Sequence, residues 1–562
     1  MSRFTLTRVR QQQSAVRVTN WQQNVLKSQQ SRIRLWPFTI ALIVMGVVCV
    51  SRLAQLTVVE GAYFRTRADN NRIISVRTAA QRGVFYDRHQ KPLVRNLPAF
   101  KRQVPGTTLV QGMFESITKE EALALTGDSQ RIYYDITRDY LCSRACALLL
   151  GYVAQVDPQS LLELDSKYIA GDGVGKSGLE KVFEEQVRGE PGNQLVEVDA
   201  RGQVERVLGE NQSIPGIDIA TTIDVSLQEL AHELMASYSG AVVALEPKSG
   251  NVLAMMSAPA FDPNNIALGL QEPNQPFFNR ALAGVYPPGS VYKVVTSVAA
   301  LESGKITTDT LFQDSGEIRV GEFSFGNWLY SEHGRTEGAV NVVKALQRSN
   351  DIYFYRAGEQ IGPNLMAEWS TMFGLGKAPN ISGLIGAAGT VPTPKWKEKT
   401  KGERWYLGNT FHMSIGQGDV LVSPTHIAMM MSAIANDGTL CPPKLVRNQQ
   451  EVVGCSQLNL TDTTLLSVQE GLVAACKPGG TGAPFFTSEY EVACKTGTAQ
   501  QGGEEALPHA WFTVYAPAKD PEIVVTVLAE RAGQGSQVAA PVAKRLLDWW
   551  FAQPEAYRRG AN

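Results

Sequence analysis

The chain has 562 residues, too many for one ordinary domain, so two or more folded units are expected. Apolar residues make up 44% and charged residues 19%, which excludes a wholly disordered chain. With 53 basic against 54 acidic residues, the chain as a whole gives no electrostatic case for a nucleic-acid partner.

Charge is unevenly spread. Residues 1–34 hold seven basic side chains, Arg3, Arg8, Arg10, Arg17, Lys27, Arg32 and Arg34, and no acidic one. Directly after them comes LWPFTIALIVMGVVCVS, residues 35–51, without a charge, and the apolar character continues to Val59 past Arg52, whose long side chain can snorkel to an interface. At about 1.5 Å per residue the uncharged run alone spans roughly 25 Å, so one transmembrane helix over 35–59 is expected. The positive-inside rule places the 1–34 tail in the cytoplasm and everything past Val59 on the far side of the cytoplasmic membrane. A cleavable signal peptide would have a shorter apolar core and a small-residue cleavage site, and neither is present.

Residues 60–214 are broken by Gly and Pro into short segments, which reads as a separate extracytoplasmic module of strands and short helices. Inside it AGDGVGKS, residues 170–177, nearly spells a phosphate-binding loop. Ala170 stands where the first glycine belongs and no apolar strand precedes it, so a structural turn before a helix is expected.

From residue 215 the periodicity becomes regular. Leu227, Leu230, Ala231 and Leu234 recur at helical spacing, and GAVVALEPKSGNVLAMMSAP reads as a hairpin turning at Pro247 to Gly250. EVACKTGTAQ, HAWFTVYAP and EIVVTVLAE read as three further strands, followed by a closing helix in VAAPVAKRLLDWWFAQ, where Trp549 and Trp550 pack the helix or meet a membrane surface. Five strands with helices before and between them predict an α+β domain over 215–553, a mostly antiparallel sheet covered by helices, with a short tail over 554–562. The seven cysteines (49, 142, 146, 441, 455, 476 and 494) include no C-x-x-C pair, so no disulfide framework is expected. Only Cys441 and Cys455, flanking one surface hairpin, are placed for a bridge in an oxidising compartment. Six scattered histidines lack the spacing of a metal site, and neither a metal nor a cofactor is expected.

The chemistry concentrates in YPPGSVYKVVTSVAALESG, residues 286–304. On a helix beginning at Ser290, the residues Val291, Val294, Val295, Val298 and Leu301 form one buried stripe, and Ser290, Lys293 and Ser297 line its edge. A lysine three residues after a serine is its helical neighbour, and partial burial would lower the lysine's pKa until a neutral amine can take the hydroxyl proton. The spacing alone is weak, since SITK at Ser116 to Lys119 repeats it. Two more elements follow in order: RSNDIYFY, with Ser349 and Asp351, and ACKTGTAQ, with Lys495, Thr496, Gly497 and Thr498 on a predicted strand. Lys-Ser-Gly also stands at 176–178 and 248–250, but only the copy at Lys495 follows the other two elements. His509 in HAWF is a weaker candidate for a serine's base.

S-x-x-K, S-D-N and K-T-G in this order are a signature of penicillin-binding proteins and class A β-lactamases; this chain has Ser349-Asn350-Asp351 at the second motif, and it resembles a class B penicillin-binding protein. The resemblance extends to RGVFYDRHQKPLVRN (82–96), GLEKVFEEQVRGEPG (178–192), FNRALAGVYPPGSVYK and SIGQGDVLVSPTHIA (414–428). WYLGNTFHMSIGQG and Asp351, where most relatives have Asn, resemble the elongation type more than the division type. The resemblance implies a penicillin-binding, serine β-lactamase-like transpeptidase domain behind an elongated pedestal or dimerisation-type module. It also implies a substrate, peptidoglycan stem peptides ending in D-Ala-D-Ala, and β-lactams as inhibitors.

By the same resemblance Ser290 is the nucleophile, Lys293 its base and Ser349 the relay to the leaving D-alanine. Lys495, Thr496 and Thr498 hold the terminal carboxylate, Gly497 lets the substrate backbone pair with the strand edge, and the backbone N–H groups of Ser290 and Thr498 form the oxyanion hole. Asp351 accepts hydrogen bonds and cannot donate them, which points it at Lys293 rather than at substrate. A membrane-embedded glycosyltransferase of the shape-elongation-division-sporulation family is the implied partner of the 60–214 module. The alternatives are a D,D-carboxypeptidase or β-lactamase, which pass the acyl group to water, and a β-lactam sensor or scaffold that activates a glycan polymerase.

Overall fold

The computed structural model describes residues 36–560 except 104–113, 126–131, 157–158, 160, 162–166, 170–171, 199–203, 448–453 and 502–505. The basic tail and the start of AGDGVGKS therefore lie outside the described residues. The chain divides into two compact units, one containing residues up to Ser75 with Leu195–Leu208, the other Val76–Gln194 with Gly209 onward.

In the first unit, α1 (Trp36–Ala54) runs on through a π turn, Gln55–Val59. Together they form a helix of 24 residues with none buried, long and apolar enough to cross a membrane at about 36 Å. Arg72 and Arg206 both pair with Glu197, whose carboxylate is shielded from water and needs the cations.

The second unit holds the sheet. The helices and strands that build the sheet and the site include α2 (Val225–Leu234), β1 (Gly240–Leu245), β2 (Val252–Ala258), α3 (Lys293–Glu302), α4 (Val342–Arg348), α5 (Asp351–Ile361) and α6 (Leu407–Ser414). There follow α7 (Pro424–Ala435), α8 (Asp462–Ala475), β3 (Ala493–Ala499), β4 (His509–Ala516), β5 (Ile523–Ala529) and α9 (Ala539–Ala552). The strands pair antiparallel in the order β2-β1-β5-β4-β3, with β3 at one edge.

Every residue of β1, β2, β4 and β5 is buried, because helices cover both faces and leave no polar side. Alternation sorts them: Ala241, Val243 and Leu245 join the core built around α3 and α7, while Val242 and Ala244 join the core of α2 and α9. Trp550 is buried in that second core and Trp549 packs at its margin, so both serve the closing helix. Residues after α9 dock on the same unit: the Tyr557 ring stacks on His89 at 4.0 Å and its hydroxyl donates to Asp224 at 3.1 Å.

Two of the stretches that carry the family resemblance meet in a buried ion cluster. Arg82 of RGVFYDRH donates to Glu180 at 2.9 Å and Glu184 at 2.6 Å of GLEKVFEEQ, and Arg138 donates to Glu180 at 2.9 Å. Losing one member would leave a buried charge unpaired, which is why breaking such a cluster costs about 3–5 kcal/mol. The GVGKS segment is a short strand, Gly173–Gly175, followed by a helix from Gly178, a turn before a helix.

The expectation of no disulfide framework is overturned. Cys142–Cys146, Cys441–Cys455 and Cys476–Cys494 are bridged, and Cys49 alone is free among the described residues. Spacing between cysteines carries no information about strands and helices that fold back on one another, and the third bridge joins the end of α8 to the edge strand β3. Closing a loop of 18 residues contributes about 3 kcal/mol in the chain-entropy account.

Candidate active site

Ser290 does not begin an α-helix. It lies in a 3-10 turn, Gly289–Tyr292, and α3 starts at Lys293. The preceding Pro-Pro-Gly has a steric reason. Gly289 takes φ +57°, and a Cβ there would stand 2.9 Å from the Thr498 carbonyl oxygen, so only glycine lets the turn lie against β3. Gly497 performs the reciprocal service, since its Cβ would meet Trp511 Cβ at 2.9 Å and the Pro288 carbonyl at 3.1 Å. The Trp511 indole donates to the Pro287 carbonyl at 2.9 Å, and Gly289 N–H donates to the Gly416 carbonyl at 2.8 Å, which brings the SIGQG stretch alongside.

The α3 helix also differs from the amphipathic picture. Lys293 through Ala300 are all buried, polar edge included. Thr296 satisfies its hydroxyl on the Ser414 carbonyl at 2.8 Å, and Ser297 on the Lys293 carbonyl at 2.8 Å. Lys293 itself has zero exposure, a cost that demands partners. Its Nζ donates to the Ser349 carbonyl at 2.8 Å, to Ser349 Oγ at 3.1 Å and to Asp351 Oδ1 at 2.6 Å. Burial pushes this amine below the ordinary lysine range, and the Asp351 carboxylate draws it part of the way back.

Lys495, on β3, is equally buried. Its Nζ donates to Ser349 Oγ at 2.9 Å and to the Thr496 carbonyl at 3.0 Å. Burial and then the neighbouring Lys293 charge push it well below the ordinary range. Two lysines from two distant segments thus converge on one hydroxyl. A hydroxyl has two acceptor positions and one proton, so with both lone pairs occupied the Ser349 proton is left to point elsewhere.

Ser349 reaches this position by an uncommon backbone. It caps the end of α4 in the left-handed region at φ 53°, ψ 40°, a conformation that costs roughly 1–3 kcal/mol for a residue with a Cβ. Asn350 then caps α5, its side chain accepting the Tyr353 N–H at 3.0 Å.

Of the eight residues proposed from sequence, the structure gathers Lys293, Ser349, Asp351 and Lys495 through direct contacts. Ser290 and Gly497 adjoin through the turn against β3. Among the described hydrogen bonds none links the Ser290 hydroxyl to Lys293, whose amine is held by Ser349 and Asp351; catalytic contacts often tighten only with substrate bound. Thr496 Oγ1 meets Thr481 Oγ1 at 2.8 Å, and Thr498 is exposed at the sheet edge. The rival Lys-Ser-Gly copies lie in a turn before a short helix and in the β1–β2 turn, away from any such convergence. His509 is no partner of a serine: its Nδ1 accepts the Arg531 N–H at 3.1 Å and its Nε2 meets Gln501. Sequence reasoning missed Thr481, which no local pattern marks, and assigned no role to Gln417, which lies in the SIGQG stretch and donates from Nε2 to the Thr498 carbonyl at 3.5 Å.

A serine on a turn against an edge strand, with two desolvated lysines sharing a second serine beside it, defines a serine acyl-transfer enzyme of the penicillin-recognising class. Residues 240–548 match the penicillin binding protein transpeptidase domain, and residues 113–221 match the penicillin-binding protein dimerisation domain. The peptidoglycan D,D-transpeptidase MrdA of Acinetobacter baumannii is 31% identical over 92% of this chain and 87% of its own. Pseudomonas aeruginosa PBP2, solved in complex with WCK 5153, is 29% identical with a TM-score of 0.70, covering 85% of this chain and 97% of that one. A chain from a peptidoglycan synthase complex, solved to show coordination of polymerization and crosslinking, is 27% identical with a TM-score of 0.73, covering 94% and 100%. The chain belongs to the penicillin-binding protein transpeptidase family, and it is similar to proteins named peptidoglycan D,D-transpeptidase.

Proposed function

We propose that this protein cross-links peptidoglycan stem peptides as an elongation-type D,D-transpeptidase and that β-lactams acylate it at Ser290. The observation that supports this most is the Ser349 hydroxyl held between two buried lysines, Lys293 and Lys495, beside a turn in which Ser290 alone is not fully buried. In this reading Ser290 Oγ attacks the carbonyl carbon of the penultimate D-alanine while its proton passes to neutral Lys293. The oxyanion that forms is met by the backbone N–H groups of Ser290 and Thr498. The peptide C–N bond then breaks, and Ser349, whose acceptor positions both lysines occupy, hands a proton to the departing D-alanine amine and regains one from protonated Lys293, which returns to the neutral amine. Lys495, Thr496 and Thr498 hold the terminal carboxylate, with Gly497 allowing close approach.

An amine from a second strand attacks the ester, forms the new amide and returns the proton to Ser290. Asp351 braces Lys293 and touches no substrate. We divide the chain accordingly: basic tail 1–34 inside the cell, anchor 35–59 in the cytoplasmic membrane, pedestal 60–214 and transpeptidase domain 215–553 outside. The pedestal is the face offered to a membrane-embedded glycosyltransferase of the kind that polymerises glycan in the related synthase complex.

The test is to label the full chain with a fluorescent penicillin and map the modified peptide. An adduct on Ser290 is expected. An adduct on another residue, or none, would end this reading.

A further inference from the structure

Between Ser349 and Asp351 sits a residue with no part in the chemistry above. Asn350 is buried, and its Nδ2 donates to Asp314 Oδ2 at 2.8 Å. Asp314 is itself 2% exposed, thirty-six positions earlier in the chain, and accepts three further hydrogen bonds. Gly316 N–H donates to Oδ1 at 2.8 Å, and to Oδ2 donate Glu337 N–H at 2.9 Å and Asn327 Nδ2 at 3.0 Å. Among the described residues no basic side chain pairs with it. A carboxylate only accepts hydrogen bonds, and here four N–H groups donate to it, three to Oδ2 and one to Oδ1. An amide of the same shape would turn an N–H toward groups that are already donors.

The same segment grips the motif at every position around Ser349. Trp328 Nε1 donates to the Arg348 carbonyl at 2.9 Å, and Glu337 accepts from Arg348 Nε at 2.7 Å. Asn327 uses its other end, Oδ1, to accept the Asp351 N–H at 3.3 Å. Ser349, in the middle, holds its left-handed backbone, and that conformation turns both its carbonyl and its hydroxyl onto Lys293. Strained residues persist only where the surroundings over-determine them. Residues 314–337 supply that constraint, and none of them contacts Lys293, Lys495 or Ser290 in any described hydrogen bond or ion pair.

We propose that Asp314 is a positioning residue for catalysis, the hub through which Asn327 and Asn350 fix Ser349 between the two lysines and Asp351 against Lys293. This rests on the transpeptidase reading and adds to it a segment that never touches the reacting atoms. It also gives Asn350 a role, since the middle residue of the S-x-D motif is the one the hub holds.

The experiment measures the rate of acylation of the full chain by a fluorescent penicillin across a pH series, for the parent and for Asp314→Asn, Asn327→Ala and Phe323→Ser. The parent should label on Ser290, and failure there would remove the serine mechanism itself and this inference with it, before any variant is compared. Asp314→Asn and Asn327→Ala should acylate slower by about ten- to a hundredfold, the range that a displaced catalytic group causes. Their acid limb should move to lower pH, because Asp351 no longer holds Lys293 in its protonated form. Phe323→Ser, at the exposed tip of the hairpin in the same segment, should match the parent in both respects. Parental rates in the two hub variants, or slower rates with an unmoved limb, would overturn the proposal. If Asp314→Asn fails to fold by circular dichroism, Asn327→Ala decides, since it leaves Asp314 three of its four donors.

Discussion

Two stretches of this chain place a lysine three residues after a serine, and they end in different worlds. Ser116 lies on a short strand, Phe114–Ile117, and Lys119 opens a short helix where it stands exposed. Ser290 lies on a turn against β3, and Lys293 is sealed under it against Ser349 and Asp351. Spacing is shared, so spacing is not the source of the chemistry. Desolvation is: removing water from an amine disfavours its charged form, and only the second lysine sits where the fold has removed the water.

The sharpest way to break this comparison is to delete each hydroxyl. Ser290→Ala should lower covalent labelling by penicillin at least about a thousandfold, the scale seen when a nucleophile is lost, while Ser116→Ala should label like the parent in the same gel assay. Equal losses would mean that the pairing of motif with environment is wrong. Next in size, Lys293→Arg keeps a cation that cannot give up its proton, so acylation should fall by about a hundredfold or more in stopped-flow measurements. Lys119→Arg should change nothing.

A smaller effect separates the two influences on Lys293. Burial lowers its pKa and Asp351 raises it, so Asp351→Asn should leave the enzyme able to acylate but shift the acid limb of the pH–rate profile to lower pH. A shift to higher pH would show that Asp351 acts on something other than the lysine. Smallest is a stability effect that carries the same rule outside the site. His426 and His509 each use Nδ1 to accept a backbone N–H, from Ser423 at 3.0 Å and Arg531 at 3.1 Å, and burial lowers both pKa values. A group depressed on folding contributes stability in full above its unfolded pKa, about 6.5 for histidine, and loses it as pH falls through the folded value. The melting temperature should therefore drop by a few degrees between pH 7 and pH 5, and His426→Gln should flatten part of that slope.

Much of this was legible before any fold was seen. Strands such as GAVVAL and IVVTVLA could be read because Val, Ala, Leu and Ile dominate them without polar alternation, as they must when both faces are covered. The three motifs could be read because each is short and they occur in a fixed order. The 3-10 turn under Ser290 was not legible, since it depends on how closely Gly289 approaches a strand two hundred residues away. Nor were the disulfides. Cys494 lies in EVACKTGTAQ, which reads as a strand and is one, but that its partner is Cys476 follows from α8 packing beside β3. Asp314 was invisible for the same reason: its four hydrogen-bond donors come from Gly316, Asn327, Glu337 and Asn350, and only two of those lie within the next fifteen positions.

What residue order determined alone was local: where the long apolar helix lies, which segments are strands, and which side chains carry the hydroxyls and amines of the three motifs. What the tertiary structure decided was protonation and aim. A lysine's charge state and a serine's direction are set by which other segments exclude water and fill its hydrogen bonds, and those segments meet only when the chain has closed on itself.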